Sequence, residues 1–337
     1  MSIFFSIISP IRNEEEYIAE CLTSLVNQDY DRSKYEILVV DGMSTDSTRA
    51  IVKEFVTKYD NVKLYDNPDK TVPYALNLGI ERAKGEVIVR VDGHAAISRD
   101  YLRLCEQYLK QTKAECVGGI IESINQTYIG KAIALAMSSP FGVGNARFRT
   151  NGKEGFVDCL AFGAYQRDVF DRIGNFDTEL TRCQDDDFNY RLRQFGGKIY
   201  FTPQIRSRYY PRTNLKKLWL QYFGYGLWKI RILQKHFSRM QLRQFVPPTF
   251  VLSLLLTGLA GMFWKPALLF FLSIIFLYLT ATLIISLKIS YKNGIKYLMI
   301  LPVIFPAIHI SYGLGFLSGL FRFSRYWLVS SKDSKSE

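Results

Sequence analysis

The chain has 337 residues, of which 48% are hydrophobic and 15% aromatic, and this composition excludes a disordered protein. Its formal net charge of +12 is unevenly distributed, since residues 204–243 carry ten basic and no acidic side chains, whereas residues 1–203 carry 25 basic and 29 acidic ones. The excess positive charge therefore lies in the C-terminal part, beside apolar segments, which favours a membrane partner and argues against nucleic acid.

The five cysteines all fall within residues 1–203, and no two stand close enough to form a Cys-x-x-Cys ligand pair. Reduced thiols in a cytosolic domain are therefore expected. The N-terminus has neither a basic region nor a small-residue cleavage site, so it predicts a first strand rather than a signal peptide.

Strands and helices alternate through the first ninety residues. Apolar runs predict four strands, at residues 3–9, 35–40, 62–65 and 86–91. Pro10 is expected to end the first strand, because proline cannot donate a ladder hydrogen bond. Helices are predicted over residues 14–27, from a cap at Ser44 or Thr45, and over residues 71–84. This alternation predicts an α/β domain with a mixed, mostly parallel sheet, whose ligand site lies at the carboxyl ends of the strands.

Residues 100–203 have a less regular α/β pattern, with a helix predicted over 100–112 and strands at 116–121 and 199–201. Three consecutive carboxylates, Asp185 to Asp187, come directly before a helical run that Gly196 and Gly197 end.

The tripeptide Asp92-Gly93-His94 directly follows the fourth predicted strand. A carboxylate at a strand end, a glycine that permits a tight turn and a second ligand two residues on suit a divalent cation bound to a phosphate-bearing substrate. The alternative is an Asp-Gly turn with an incidental histidine. Pro10 and Asp41 at two other strand ends favour the first interpretation.

Three carboxylate positions divide the expected chemistry among them. Asp41 is suited to hydrogen bonds with a base or ribose, Asp92 with His94 to a metal on a diphosphate, and the cluster at 185–187 to general-base catalysis.

Seven motifs follow one another along residues 3–203. They are Ile8-Ser9-Pro10-Ile11-Arg12-Asn13-Glu14-Glu15, Val39-Val40-Asp41-Gly42-Met43-Ser44-Thr45-Asp46, Ala75-Leu76-Asn77-Leu78-Gly79-Ile80, Gly85-Glu86-Val87-Ile88, the Asp92 turn, Gly174-Asn175-Phe176-Asp177 and Asp185-Asp186-Asp187. In number and order they resemble the motifs of glycosyltransferase family 2. The Val-Asp-Gly-Met-Ser-Thr-Asp and Asp-Gly-His variants resemble the branch typified by membrane-attached enzymes of succinoglycan-type exopolysaccharide assembly.

The resemblance implies a glycosyltransferase A type domain that uses a nucleotide-diphosphate sugar and inverts the anomeric configuration by direct displacement. It implies that Pro10, Glu14 and Asp41 line the nucleoside pocket, and that Asp92 holds the metal that offsets charge on the departing diphosphate. His94 stands where the family has a second acidic residue. The resulting mixed ligand set favours manganese over magnesium.

The resemblance also places the catalytic base at Asp185, with Gln184 where the family has glutamate. Asp186 and Asp187 are competitors for this role, and helix capping or outer hydrogen bonds are their alternative roles. Phe162 and Gly163 lie where the family has a turn beside the acceptor, and Asp186 is also assigned to the acceptor side.

A basic segment, residues 206–243, follows the predicted catalytic domain of residues 1–205. From Leu215, apolar residues recur with helical spacing and the basic side chains fall largely off that stripe, which predicts an interfacial amphipathic helix interrupted near Gly224 and Gly226. Anionic lipid headgroups and a polyprenyl-lipid-linked acceptor are the expected partners. A surface helix of the soluble domain is the alternative. The Gln-x-x-Arg-Trp pentapeptide of processive relatives is absent from this region, which favours transfer of one sugar.

Three apolar stretches, residues 244–264, 266–287 and 297–321, lie in a predicted membrane region of residues 244–322. Each has the roughly twenty residues that span a bilayer core. A buried hairpin in a soluble protein is the alternative. Cations on both sides of the third stretch prefer the inside, so this stretch is expected to be re-entrant or broken near Pro302 and Pro306. A polar tail, residues 323–337, follows.

The sequence therefore predicts a multi-pass enzyme of the cell membrane with a cytoplasmic catalytic domain. The expected reaction moves one sugar from a nucleotide-diphosphate sugar to a lipid-linked or glycan acceptor in cell-surface polysaccharide assembly. A processive polysaccharide synthase is the alternative among enzymes, and a non-catalytic membrane scaffold with a degenerate transferase domain is the alternative from another class.

Overall fold

A computed structural model of the protein describes residues 2–144, 146–150, 152–211, 214–236 and 241–327. The chain divides into two compact units. The first, here called the sheet unit, comprises residues 1–123 and 146–210, and the second, the helical unit, comprises residues 124–145 and 211–337. Most of the predicted polar tail, from residue 328 on, lies outside the described residues.

One mixed sheet forms the centre of the sheet unit. Its strands in the described residues are β1 (Phe5–Ile11), β2 (Tyr35–Asp41), β3 (Val62–Asp66), β4 (Val87–Arg90), β5 (Ala95–Ile97), β6 (Cys116–Ser123), β7 (Gly155–Phe156), β8 (Ala164–Gln166) and β9 (Ile199–Tyr209). Their order is β3-β2-β1-β4-β8-β6-β9-β5, and β7 pairs with β9. Strands β1 to β4 are parallel to one another, whereas β8 is antiparallel to β4 and β6. The predicted α/β fold with a mixed sheet is confirmed.

The helices of the described residues fall into both units. They are α1 (Ile18–Val26), α2 (Thr48–Lys58), α3 (Val72–Arg82), α4 (Tyr101–Thr112), α5 (Tyr128–Met137), α6 (Pro140–Val143), α7 (Arg147–Thr150), α8 (Asp168–Ile173), α9 (Gln184–Gln194), α10 (Leu215–Lys235), α11 (Val246–Gly261), α12 (Lys265–Asn293) and α13 (Leu301–Arg322). Helices α5, α6 and α10 to α13 belong to the helical unit.

The carboxyl ends of β1, β2 and β4 meet at one edge of the sheet. In the parallel ladders Ile11 pairs with Asp41, and Ile8 pairs with Arg90, the last residue of β4. All residues of these three strands are buried. We call this side, with the loops that follow the three strands, the carboxyl edge.

Pro10 does not end β1, which continues to Ile11. The carbonyl of Ile8 accepts from Val91 N on the β4 side, whereas the carbonyl of Ile11 accepts from Gly42 N on the β2 side. The backbone groups of successive residues in a strand face alternate sides, so the nitrogen of Pro10 faces β4, as the carbonyl of Ile8 does. Pro10 lies beyond Ile8, the last residue of β1 that pairs with β4. No ladder hydrogen bond is lost there, so the proline is tolerated inside the strand.

The last strand is longer than predicted, because β9 extends to Tyr209 rather than ending at residue 201. The expected domain boundary at residue 205 therefore falls inside a strand, and residues 206–209 belong to the sheet. The β6 ladder passes from Phe201 directly to Arg206, and Pro203 lies in the omitted stretch. Beyond Pro203, β9 continues from Arg206 to Tyr209, where it is held by pairing with β5 as well as with β6.

Helix α2 begins at Thr48 with Ser47 at its N-cap, so neither Ser44 nor Thr45 caps it as predicted. Ser44 instead donates its hydroxyl to Asp41, at the end of β2.

Helix α10 runs unbroken through Gly224 and Gly226, contrary to the predicted interruption. A Cβ atom on Gly226 would lie 2.0 Å from the carbonyl oxygen of Tyr312, so this glycine permits close approach of α13. Helix α13 is likewise continuous, although Pro306 lies inside it.

Three helices of the helical unit are long and apolar enough to cross a membrane, judged by length and composition. They are Leu242–Gly261, Lys265–Asn293 and Leu301–Arg322. The prediction of about three hydrophobic C-terminal helices is confirmed in this sense.

Candidate active site

The loops after β1 and β2 are joined by reciprocal hydrogen bonds. Asn13 Oδ1 accepts from Thr45 N at 2.9 Å, and Asn13 N donates to Ser44 Oγ at 2.9 Å. Asn13 and Met43 have φ values of 54° and 59°, in the left-handed region that costs a non-glycine residue on the order of 1–3 kcal/mol. Such strain persists where surrounding contacts determine the backbone. The hydrogen bonds between the two loops are contacts of this kind.

Asp41 is fully buried at the end of β2. Its carboxylate accepts from Ser44 N at 3.1 Å and from Ser44 Oγ, and it pairs with Arg49 Nη1 at 3.0 Å. Arg49 also pairs with Asp66, the last residue of β3. These hydrogen bonds and the ion pair hold the Ser44 loop and α2. Its contact with a ribose or base stays a prediction.

Arg90 and Asp92 form a bidentate ion pair where β4 ends. Arg90 Nε donates to Asp92 Oδ1 at 2.8 Å and Nη2 donates to Oδ2 at 3.1 Å, while the two side chains are only 11% and 18% exposed. Arg90 Nη1 is buried with no hydrogen-bond partner among the described residues. Burial raises the pKa of Asp92, but the charge and hydrogen bond of Arg90 and the charge of His94 outweigh it, so the pKa is lowered.

His94 and Glu14 connect the turn after β4 to the loop after β1. The Nδ1 atom of His94 lies 2.9 Å from Glu14 Oε1 and donates to it. Burial lowers the pKa of His94, but Tyr209, the hydrogen bond to Glu14 and the charges of Glu14 and Asp92 outweigh it and raise the pKa to about 9. A Cβ on Gly93 would lie 2.8 Å from Ile11 Cγ2, so only glycine fits between the two loops.

The three carboxylates at the start of α9 have different surroundings. Asp187 is buried and pairs with Arg191 Nε at 2.9 Å, one helical turn away. Asp186 Oδ1 accepts from the thiol of Cys159 at 3.3 Å. No other side chain in the described part of the chain hydrogen bonds to Asp185, which is half-buried. Asp185 is therefore the carboxylate of the three that is most available for chemistry.

The electrostatics of Asp185 suit a general base. Burial and the charge of Asp186 raise its pKa, Arg90 acts in the opposite direction, and Asp92 raises it further. A carboxylate with a raised pKa holds a proton more readily than an ordinary aspartate. Arg90, Asp92 and Asp185 thus form one electrostatically connected group at the carboxyl edge.

Aromatic packing holds the helix that carries Asp185. Phe188, one turn along α9, is fully buried and stacks on Phe176 with ring centroids 4.5 Å apart. Its ring also meets the edge of Tyr165, on β8, at 5.2 Å. The Tyr165 hydroxyl donates to Asn189 Oδ1 at 2.8 Å, also on α9. Since β8 is the neighbour of β4 in the sheet, these contacts place the first turn of α9 beside the end of β4.

Phe162 and Gly163, predicted on the acceptor side, precede β8. The carbonyl of Gly163 accepts from Arg90 N at 3.3 Å, so this segment adjoins the end of β4. The Phe162 side chain is buried, and its carbonyl accepts from the Tyr101 hydroxyl at 3.0 Å. Both residues border the candidate site through their backbone, and contact with an acceptor stays a prediction.

The described residues hold no group of three or more His, Cys, Asp or Glu side chains placed to bind a metal ion. Asp92 offers a carboxylate, and His94 offers its ring nitrogen Nε2 once a metal has displaced the proton that the raised pKa of His94 retains on the ring. Divalent metals at nucleotide sites are commonly bound by one or two carboxylates together with substrate phosphates. Asp92 and His94 thus fit a metal that arrives with a diphosphate and not a site built by protein alone.

Sequence reasoning gave Arg90 no role, although its position two residues before Asp92 on a buried strand was a usable signal for their ion pair. It also missed the Cys159-Asn189 contact beneath the carboxylates of α9, where Asn189 Nδ2 donates to Leu160 O at 2.7 Å. These residues are some thirty positions apart, and no local pattern connects them.

Comparison with known sequences gives one family and several relatives. The family described as Glycosyl transferase family 2 matches residues 6–174. A dolichyl N-acetyl-alpha-D-glucosaminyl phosphate 3-beta-D-2,3-diacetamido-2,3-dideoxy-beta-D-glucuronosyltransferase of Methanococcus voltae is 33% identical over 95% of this chain and 98% of its own length. The succinoglycan biosynthesis protein ExoA of Rhizobium meliloti is 30% identical over 72% of this chain and 73% of its own length.

Among solved structures, the mannosyltransferase PcManGT of Pyrobaculum calidifontis, in complex with GDP-Man and Mn2+, has the same fold. It superimposes with a TM-score of 0.60 at 19% identity, over 96% of this chain and 88% of its own. The predicted fold class, a glycosyltransferase A type α/β domain with a mixed sheet and apolar C-terminal helices, is confirmed.

Proposed function

The chain belongs to glycosyltransferase family 2, and we propose that it transfers one sugar from a nucleotide-diphosphate sugar to a lipid-linked or glycan acceptor with inversion at the anomeric carbon. The observation that carries the proposal is the Arg90–Asp92 ion pair at the end of β4, with the helix that carries Asp185 packed on the neighbouring strand β8. Ligands of open α/β sheets bind in this place.

The donor lies over the loops of the carboxyl edge, where Pro10, Glu14 and Asp41 line the nucleoside pocket. The joined loops at Asn13 and Ser44 give the pocket its shape before binding, which lowers the entropic cost of ordering it. Asp41 acts mainly by holding the Ser44 loop, since its own carboxylate is fully buried.

The departing diphosphate lies at the Asp92 turn. A divalent metal would be held there by Asp92 and, after loss of its Nε2 proton, by His94, and it would supply positive charge to the leaving group. Arg90 keeps Asp92 ionised and oriented through its bidentate pair, and it keeps positive charge beside Asp185. Glu14 fixes the ring of His94 through Nδ1, which leaves Nε2 facing away from that hydrogen bond.

Asp185 takes the proton from the acceptor hydroxyl as that oxygen attacks the anomeric carbon. The C–O bond to the diphosphate breaks as the new C–O bond forms, so configuration inverts and no covalent enzyme intermediate is needed. Asp187 is committed to Arg191, and Asp186 lies on the acceptor side beside Cys159.

A lipid-linked acceptor is supported by two observations. The Methanococcus voltae relative is named for action on a dolichyl phosphate sugar. The helical unit has apolar helices and no Asp or Glu in residues 124–145 or 211–327, so it suits an anionic membrane surface on the cytoplasmic side. We propose one sugar per acceptor because the Gln-x-x-Arg-Trp pentapeptide of processive relatives is absent.

The pH dependence of transfer should reveal the raised pKa of Asp185. The base works only when ionised, so kcat/KM should fall as the pH drops through this pKa, which lies above that of an ordinary aspartate. Asp186→Asn removes a neighbouring negative charge and should move this acid limb to lower pH. Asp60→Asn removes an exposed charge elsewhere and should leave the limb unchanged. An unmoved limb in Asp186→Asn would show that Asp185 is not the titrating base.

Metal preference should follow the donor set at Asp92 and His94. An imidazole ligand favours Mn2+ over Mg2+, so initial rates of the wild type should be higher with Mn2+. His94→Asn substitutes an amide oxygen without adding charge beside Glu14, and it should shift the ratio of rates toward Mg2+. Equal or better activity of the wild type with Mg2+ contradicts this assignment.

The function itself is tested with membranes that contain the full chain and a panel of nucleotide-diphosphate sugars. One donor should release its nucleoside diphosphate, and release should rise when a lipid extract is added. Asp92→Ala should abolish release. Release from no donor, or release that is unchanged in Asp92→Ala, would contradict the proposal.

A further inference from the structure

Helix α13 has positive charges at both ends. Lys288, Lys292 and Lys296 precede it, Arg322 is its last residue and Arg325 follows it. Lysine and arginine near membrane segments favour the cytoplasmic side. A helix that crosses the bilayer once cannot keep both of its ends on that side, although α13 is long enough to cross.

The first half of α13 contacts the chain segment 124–145. This segment leaves the sheet unit after Ser123 and returns at Ala146, so both of its ends lie on the same side of the membrane as the sheet unit. Crossing a bilayer twice takes roughly forty residues, which is more than this segment has. The segment 124–145 must therefore stay on the side of the sheet unit throughout.

Several contacts tie α13 to this segment. His309 Nε2 donates to the carbonyl of Phe141 at 2.8 Å, and the ring of Phe141 meets that of Phe305 edge-on with centroids 5.0 Å apart. Just before α13, the Tyr128 hydroxyl donates to the carbonyl of Lys296. The half of α13 from Leu301 to His309 is therefore held on the same side of the membrane as the sheet unit.

The second half of α13 packs on α10 through glycines. Cβ atoms on Gly315 and Gly226 would each lie 2.0 Å from backbone carbonyl oxygens of the facing helix. Gln234 Nε2 donates to Phe323 O at 2.8 Å, and the guanidinium of Arg231 lies 3.8 Å from the ring centroid of Tyr326. These contacts fix the second half of α13 at the same depth in the membrane as α10.

Helix α10 cannot lie in the apolar core of a bilayer. It carries five cations, Lys216, Lys217, Lys229, Arg231 and Lys235. A charged residue at the centre of a membrane helix is unfavourable, because its charge loses hydration there. Helix α10 also follows the sheet unit directly, with no apolar span between them. Helix α10 and the segment 124–145, two of the partners of α13, therefore lie on the same side of the membrane as the sheet unit.

Helices α11 and α12 form a hairpin that is much less buried within the protein than α13, as expected of helices that face lipid. The most apolar parts of the spans that contain α11 and α12 are 11% and 6% buried within the protein, against 50% for that of α13. The middle of α13 lies level with the start of α11, since a Cβ on Gly313 would lie 2.7 Å from Pro247 O. Phe250, also near the start of α11, stacks on Tyr278 of α12, whose hydroxyl donates to His309 Nδ1.

We propose that α13 does not cross the bilayer but lies with α10, α5 and α6 in one layer at the lipid headgroups, on the side of the sheet unit. The α11–α12 hairpin alone enters the apolar core, and the C-terminus lies on the same side as the N-terminus. This inference goes beyond the transferase proposal and does not depend on it.

The test uses the full chain with two different cleavable epitopes, one at each terminus, in sealed membrane vesicles treated with protease. Both epitopes should be cleaved together in vesicles of one orientation and protected together in vesicles of the other, with full cleavage of both after detergent. Cleavage of one epitope while the other stays protected would overturn the proposal, because it requires α13 to cross.

A second variant separates packing from charge as the cause. Arg322→Gln combined with Arg325→Gln removes the cations after α13 but leaves the contacts of Gly315, Gly226 and Gln234 in place. The C-terminal epitope should stay on the side of the N-terminal one. Movement of that epitope to the opposite side would mean that α13 can cross, and the packing argument would be wrong.

Discussion

Asp185→Asn should abolish sugar transfer while donor binding persists. Asparagine has the size of aspartate but cannot accept the hydroxyl proton, and general-base catalysis contributes about 10²–10⁴-fold to a rate. We expect kcat to fall by about that factor, while the dissociation constant for the nucleotide sugar stays close to the wild-type value. Single-turnover transfer and equilibrium binding of a labelled donor measure the two quantities separately.

Asp187→Asn is the matched control, because it makes the same chemical change in the same turn of α9. Asp187 is paired with Arg191, and an amide oxygen can still accept that hydrogen bond. Its kcat should stay within an order of magnitude of the wild type. If Asp185→Asn retains turnover and Asp187→Asn loses it, the base is Asp187 and the assignment made from the surroundings of the three carboxylates is wrong.

Asp92→Ala should destabilise the carboxyl edge as well as remove activity. Arg90 would keep a buried guanidinium with no carboxylate partner, and breaking a buried ion pair costs about 3–5 kcal/mol. We expect the lower end of that range, about 3 kcal/mol, because the paired side chains are still 11% and 18% exposed. Hydrogen exchange of the β4 amides in the full chain in lipid nanodiscs measures this local free energy of opening.

The double variant Arg90→Met with Asp92→Ala tests whether the cost comes from the unpaired charge. Methionine fills much of the same space without charge, so most of the lost protection should return while transfer stays absent. Equal loss of protection in the single and double variants would show that the two side chains are not coupled, and the role given to Arg90 would fail.

The carboxyl edge could be predicted from the sequence because apolar runs mark buried parallel strands. The runs before Asp41 and Asp92 end where the strands end, and parallel strands bring their carboxyl ends together. The turn at Asp92-Gly93-His94 was recognisable from its glycine. The glycosyltransferase A fold followed from the number and order of such local motifs.

Contacts between distant positions could not be predicted in this way. His94 and Glu14 are 80 positions apart, and the ion pair between Asp92 and Arg90 was not predicted. The length of β9 depends on pairing with β5 and β6, which its own residues do not encode. Pro10 was misjudged because its effect depends on which neighbour its nitrogen faces.

The membrane part shows the same limit. Hydropathy identified three apolar stretches, but it does not show that the third packs against α10 and the segment 124–145. Gly226 gave a signal that was interpreted as a helix break, although its role is to let the backbone of α13 approach.

The central claim is that this chain adds one sugar to an acceptor from a nucleotide-diphosphate donor, with Asp185 as the base. The most direct measurement is the intact mass of lipid-extracted products after incubation of full-chain membranes with the active donor, beside membranes that contain Asp185→Asn. The account predicts a mass increase of one sugar residue with the wild type and none with Asp185→Asn. A ladder of several added sugars, or an equal increase with Asp185→Asn, would contradict it.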